Sequence, residues 1–230
     1  MKRSESVLVA GVGPGLGIAI AARFAKEGHR VAMLARNRER MAALAAQDAE
    51  RLIPIPCDIT DPAQVDAAFE ECERTLGSLA CAVFNAGTYR RGSILDIQPD
   101  DFERCWRVGA FAGFLVGQAA ARRMVTRASG TILFTGATAS LRGGANFINL
   151  ASPKFALRAV AQSMARELGP RGIHVAHIVI DGQIGADDTA PTRDSRLRPE
   201  AIAQAYLDLH WQPRSAWSQE IDLRPWVEKF

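Results

Sequence analysis

Short apolar runs alternate with segments of helical spacing along almost the whole chain, and the first switch between them, just after residue 10, is made through glycine. Strands are predicted over 6–10, 31–35, 53–57, 79–85, 131–135, 173–180 and 220–223, each bounded by turn or cap residues. Helices are predicted over 15–28, 38–47, 99–127, 150–168 and 199–210; Asp61 as N-cap and Pro62 as first helical residue open one more. The third strand holds two prolines and so lies near an element boundary, whereas the first is a short apolar run of the kind buried on both faces. Parallel strands joined by right-handed helical crossovers meet that requirement. The fold class is therefore α/β: a doubly wound parallel sheet of about seven strands with helices on both faces.

At 230 residues, 48% of them apolar and 23% charged, the chain buries a sizeable core, and residues 1–230 read as one domain. Its 28 basic residues are interspersed with 25 acidic ones, so no nucleic-acid partner is expected. No apolar run approaches the ~18–20 residues of a membrane span. The first residues lead straight into a strand without a signal-peptide pattern, and a cytoplasmic location is expected. Cys57, Cys72, Cys81 and Cys105 show neither C-x-x-C nor zinc spacing, so reduced thiols are expected. His174 and His177 are three apart in a strand and face opposite sides of it, which leaves no metal site there; His29 and His210 are isolated in sequence.

Gly11, Gly13, Gly15 and Gly17, with Leu16 among them, join the first strand to the first helix. Glycines at that turn let a pyrophosphate approach the backbone, and the helix N-terminus offers free N–H groups and a positive dipole. Such a loop also occurs without a ligand; its place at the first strand–helix turn of an alternating chain is what points to a dinucleotide and a Rossmann-type sheet. About twenty residues on, where an acidic residue would hold a ribose diol, the chain has Arg36 and Asn37. Arg36 presents a planar fork suited to a 2′-phosphate, which favours NADP(H) over NAD(H), although an arginine in an Arg-rich loop is also simply solvated.

These residues resemble the short-chain dehydrogenases/reductases. Gly11-x-x-x-Gly15-x-Gly17 matches that family's nucleotide loop, with Ala10 where threonine is more usual. Asp58 and Ile59 resemble the segment that binds the adenine ring, and Asn85-Ala86-Gly87 the sequence after the fourth strand. Asp181 and Gly182, with Ile184 beyond, stand where the family has Pro-Gly at the nicotinamide end. The resemblance implies hydride transfer between a nicotinamide and a carbonyl or alcohol, through a tyrosine, a lysine four residues later, a serine and an asparagine. Lys154 occupies the lysine position, but the tyrosine, serine and asparagine positions hold Leu150, Ala137 and Gly109. No shift of register restores the tyrosine, because the chain's only tyrosines are Tyr89 and Tyr206.

Leucine and alanine donate no proton, and a positioned acid contributes ~10²–10⁴ in rate. Lys154 then serves as acid or, the plainer role, holds the nicotinamide ribose. Thr138 is the first substitute to weigh; Ser140, Asn146, Asn149, Tyr89 and Tyr206 fall near the same sheet edge but read equally as caps, turns or packing. An aspartate at 181 either caps its turn or stabilises a cationic nicotinamide ring. Three readings remain open: an oxidoreductase with an altered acid, a silent dinucleotide-binding protein, and a non-redox enzyme on the same scaffold.

Residues 185–212 are expected to shape the substrate pocket, with Asp187, Asp188, Arg193 and Arg196 as the charged groups of their loop. The small, apolar helical stretches 102–125 and 155–168 suggest a homodimer or homotetramer, or else burial on their own sheet. The aromatic tail (Trp211, Trp217, Leu223, Trp226, Phe230) is expected to dock on the domain or on a neighbouring subunit.

Overall fold

The computed structural model describes residues 5–185 and 194–229. Seven parallel strands form one sheet in the order β3-β2-β1-β4-β5-β6-β7. They are β1 (Ser6–Ala10), β2 (Arg30–Ala35), β3 (Leu52–Pro56), β4 (Leu79–Phe84), β5 (Gly130–Thr135), β6 (Ile173–Ile180) and β7 (Glu220–Leu223). Successive side chains leave a strand on opposite faces, so β1 feeds both cores. Leu8 and Ala10 join α3 (Pro62–Leu76), α5 (Ala112–Val125) and α6 (Ile148–Leu168) on one side. Val7 and Val9 join α1 (Leu16–Lys26), α2 (Arg38–Ala45) and α7 (Pro199–His210) on the other. Asp61 caps α3 as expected, accepting from the Ala63 and Gln64 N–H groups.

The helix expected over 99–127 is interrupted. α4 (Pro99–Trp106) and α5 are joined by a π-helical turn, Arg107–Phe111. Gly109, in that turn, faces the ring of Pro153 on α6, and a Cβ at 109 would stand 2.8 Å from it. Periodicity does not reveal such a turn, because the apolar pattern runs through it unbroken. Among the described residues no helix is long and apolar enough to cross a membrane. All four cysteines are buried free thiols.

The aromatic tail docks only in part. Trp217 stacks flat on His174 at 5.0 Å, and Leu223 ends β7, whereas Trp226 is 76% exposed. Phe230 lies outside the described residues, as do Asp187, Asp188 and Arg193. His29 and His210, isolated in sequence, come together with Phe24 and Trp211 in one aromatic cluster. Burial pulls the His210 imidazole down to about 4, so it is neutral there.

Candidate active site

The strand order reverses between β1 and β4, and at such a switch point the carboxyl ends of the strands diverge and leave a crevice. A cleft of about 900 Å³ opens there, lined by the glycine loop, Arg36, Asp58, Ile59 and Asn85 to Gly87. The loop is held by main-chain bonds: Gly11 N–H donates to Leu34 O at 2.9 Å and Asn85 N–H to Ala10 O at 2.8 Å. At Gly11, φ is +93° and a Cβ would meet the Ala86 backbone at 2.5 Å, so glycine is required twice over. A Cβ at Gly17 would meet Gly11 O at 2.6 Å.

Gly13 and Gly15, in contrast, border open space, the room a phosphate needs at the backbone. Gly15 is the N-cap of α1, with no side-chain cap and no acidic residue in the first turn. The first N–H groups and the positive end of the helix dipole are thus left to an anion in the cleft. These features fit a dinucleotide pyrophosphate.

At the far end of the cleft the sequence-based expectations divide. Arg36 lines it, but the Asn37 side chain caps α2 by accepting from Arg40 N–H at 2.7 Å. Arg40, one turn further, lines the cleft and was missed by the sequence reading; its spacing from Arg36 on a capped helix was the available signal. Asp58 accepts from the Thr60 N–H and hydroxyl, which hold its carboxyl below the usual range. Cys57 also lines the cleft, yet burial pushes its thiol up to about 11, so it is no nucleophile.

Lys154 comes from α6 and is buried; its Nζ donates to Thr135 O at 2.6 Å and lies 4.0 Å from the position of a Cβ on Gly87, at the cleft wall. Desolvation lowers its ammonium to about 8. Thr138 follows β5 and donates from Oγ1 to Oδ1 of buried Asp181, which follows β6. Asp181 N–H is in turn fixed by Leu223 O at 2.8 Å. The structure therefore brings Thr138 and Asp181 together at the carboxyl ends of β5 and β6, with Lys154 bonded to the last residue of β5. Ile184 is held apart by a bridge to Leu197 and is half exposed.

The other candidates are engaged elsewhere. Tyr206 is fully buried, and its hydroxyl lies 2.6 Å from Thr135 Oγ1. Since Thr135 Oγ1 donates to Asn85 Oδ1, the Tyr206 proton goes to Thr135, and burial raises its pKa. Tyr206 is thus a core strut of α7 and does not reach the cleft. Asn85 Nδ2 passes the chain on to Gly11 O at 3.1 Å, so a threonine–asparagine pair steadies the glycine loop from below. Ser140 Oγ accepts from Ala137 N–H, Asn149 Nδ2 donates to Arg90 O, and Tyr89 stacks on Phe147 at the rim. Asn146 sits at φ +68° in the loop before α6, its carbonyl accepting from Gly92 N–H.

Beneath this site, Arg158 forms two 2.7 Å bonds to Glu220, which also meets His177 Nδ1 at 2.9 Å. Burial lowers the His177 pKa, and the bonds from Glu220 to His177 and Arg158 tie β7 to β6 and α6. Among the described residues no group of three or more His, Cys, Asp or Glu side chains is arranged to hold a metal ion.

Known proteins resemble this chain in sequence and backbone. The short chain dehydrogenase family model matches residues 5–195. A 3-oxoacyl-(acyl-carrier-protein) reductase MabA of Mycobacterium avium is 35% identical over 201 residues, covering 86% of this chain and 74% of that one. An uncharacterized oxidoreductase of Staphylococcus aureus is 28% identical over 222 residues, covering 95% of this chain and 96% of that one. The crystal structure of a short-chain dehydrogenase from Rhodopseudomonas palustris superposes with a TM-score of 0.85 at 40% identity, over 97% of this chain and all of the other. Sequence and backbone agree from the glycine loop to the last strand: this chain belongs to the short chain dehydrogenase family of oxidoreductases.

Proposed function

We propose that the protein is an NADP(H)-dependent oxidoreductase acting on a small carbonyl or alcohol through an altered site. The observation that carries this reading is the open, glycine-lined cleft bordered by Arg36 and Arg40, with Lys154 next to Gly87 of its wall. A nicotinamide dinucleotide bound there supplies a hydride donor or acceptor. The loop backbone and the start of α1 hold the pyrophosphate, and Asp58 with Ile59 borders the base. Arg36 and Arg40 face a 2′-phosphate, each charge-assisted bond worth roughly 1.5–3 kcal/mol. Lys154 holds the ribose at the reacting end, and Thr138 meets the substrate oxygen. Asp181, Gly182 and Ile184 border the nicotinamide, and the segment 185–212 shapes the substrate's surroundings.

The test is calorimetric. NADPH is expected to bind about tenfold or more tightly than NADH, with the preference reversed in Arg36→Asp. Equal affinities in the wild type would remove the basis for the NADP(H) preference.

A second reading has its own observation. Leu150, Ala137 and Gly109 stand at the usual tyrosine, serine and asparagine positions, and the Pro153 ring occupies the space beside Gly109. A silent dinucleotide-binding protein would show tight NADPH binding and no turnover on a carbonyl and alcohol panel. The reading further places the protein in the cytoplasm, where its four thiols stay reduced. It also makes it a homodimer or homotetramer, paired through the faces of α5 and α6 that carry Phe114 and Phe155.

A further inference from the structure

The hydrogen bond between Thr138 and Asp181 has a direction, and that direction limits what the site can hold. A threonine hydroxyl has one proton, and here it is committed to Asp181 Oδ1. What remains on Oγ1 is lone pairs, so the hydroxyl meets a further partner only as an acceptor. A carbonyl oxygen brings no proton to such a group; an alcohol does.

Asp181 lies among charged side chains. It is buried, and Arg224 approaches its Oδ2 at 3.7 Å, but the same guanidinium lies 3.0 Å from Asp222. Among the described residues, this arginine stands between two carboxylates. Glu228, from the tail segment, brings a further carboxylate beside Gly182, the next residue. Among the described residues, the Ser140 and Tyr206 hydroxyls have partners of their own. Ser140 is used by Ala137 N–H, and the Tyr206 proton is used by Thr135.

We propose that Thr138 and Asp181 form the proton-accepting dyad of this site, with Thr138 the catalytic group that touches substrate and Asp181 its positioning partner. The class of substrate they take is an alcohol. The proposal rests on the oxidoreductase reading above and adds its direction. In the step, the alcohol O–H bond breaks and its proton passes to Thr138 Oγ as the Thr138 proton passes to Asp181 Oδ1. The carbinol C–H bond breaks with its electron pair, which leaves as hydride to an oxidised nicotinamide dinucleotide, and the C–O bond becomes a carbonyl. The alcohol is oxidised and the dinucleotide reduced.

The experiment compares the wild type with Asp181→Asn, Thr138→Val and Thr138→Ser, all close in volume to the native residues. Calorimetry measures the dissociation constants of NADP⁺ and NADPH, and absorbance follows NADP⁺ reduction over a panel of alcohols. Removal of the carboxylate is expected to raise the NADP⁺-to-NADPH ratio of dissociation constants about fivefold, because only the oxidised ring is cationic. Thr138→Val keeps the charge and leaves that ratio alone. Both variants are expected to lose about 100-fold in alcohol oxidation, with Thr138→Ser restoring it. An unchanged ratio in Asp181→Asn overturns the dyad, as do alcohol oxidation that survives Thr138→Val and a wild type that oxidises no alcohol. In each of those cases tight binding by the wild type leaves the dinucleotide reading standing. A wild type that binds neither form overturns that reading and the dyad with it.

Discussion

Lys154 shows how one residue's chemistry is made by where the chain carries it. In sequence it is one of only four lysines against 24 arginines, four residues after Leu150. In the fold its ammonium has lost most of its hydration, and desolvation lowers its pKa from 10.5 to about 8. Below pH 8 the folded and unfolded chains both hold this proton, and the folded state bears the full cost of burying the charge. Between about 8 and 10.5 the folded state has released the proton that the unfolded chain still holds, so stability rises with pH through that window. Lys154→Met is therefore expected to stabilise the protein by about 1–3 kcal/mol at neutral pH. That gain should shrink toward zero as pH approaches 10.5. Urea unfolding of both proteins across this range measures the difference; a gap that does not vary with pH would show that the ammonium is not desolvated.

At the level of elements, α5 and α6 explain why the usual asparagine cannot simply be put back. Gly109, Gly113 and Gly117, four residues apart, present a stripe of glycine. A Cβ on them would meet Pro153 at 2.8 Å, Leu157 at 2.3 Å and Phe134 at 2.8 Å respectively. The small face expected to pair with another subunit is thus spent inside the molecule, letting α6 and β5 approach closely. Gly109→Asn is expected to destabilise by roughly 1–3 kcal/mol, since overpacking forces neighbours to shift. Pro153→Ala combined with it should recover most of that loss, and a double-mutant cycle in urea reads the coupling. Additive effects of the two substitutions would mean that the proline ring is not the obstacle. Any reconstruction of the family's proton donor, with Leu150→Tyr and Ala137→Ser, must then change Pro153 as well.

For the whole molecule, what is left exposed after the glycine stripe is buried is aromatic. Phe114 is 41% and Phe155 43% exposed, and Trp106, Phe111 and Phe114 stack in a row along the outer face. Apolar patches of this kind mark contact surfaces. Light scattering on the purified chain is expected to give a dimer or tetramer, and Phe114→Glu with Phe155→Glu to reduce it to a monomer. A wild-type monomer at micromolar concentration would end the assembly proposal.

The sheet itself was legible from periodicity, because strands buried on both faces must be apolar throughout and a parallel crossover needs a helix. The glycine loop was legible too, since at Gly11 and Gly17 the neighbouring backbone lies where a side chain would stand. That no tyrosine stands near position 150 is likewise plain from the sequence. The tertiary structure decided which distant residues come together. Thr138 and Asp181 are 43 positions apart, and only the parallel pairing of β5 with β6 brings their ends together. Likewise Arg40 reaches the cleft only because Asn37 turns to cap α2, and Tyr206 is withdrawn only because α7 packs it against Thr135. Local pattern specifies which residues must be buried. Which polar groups meet at the sheet edge depends on strand register and helix docking, which no local stretch of sequence encodes.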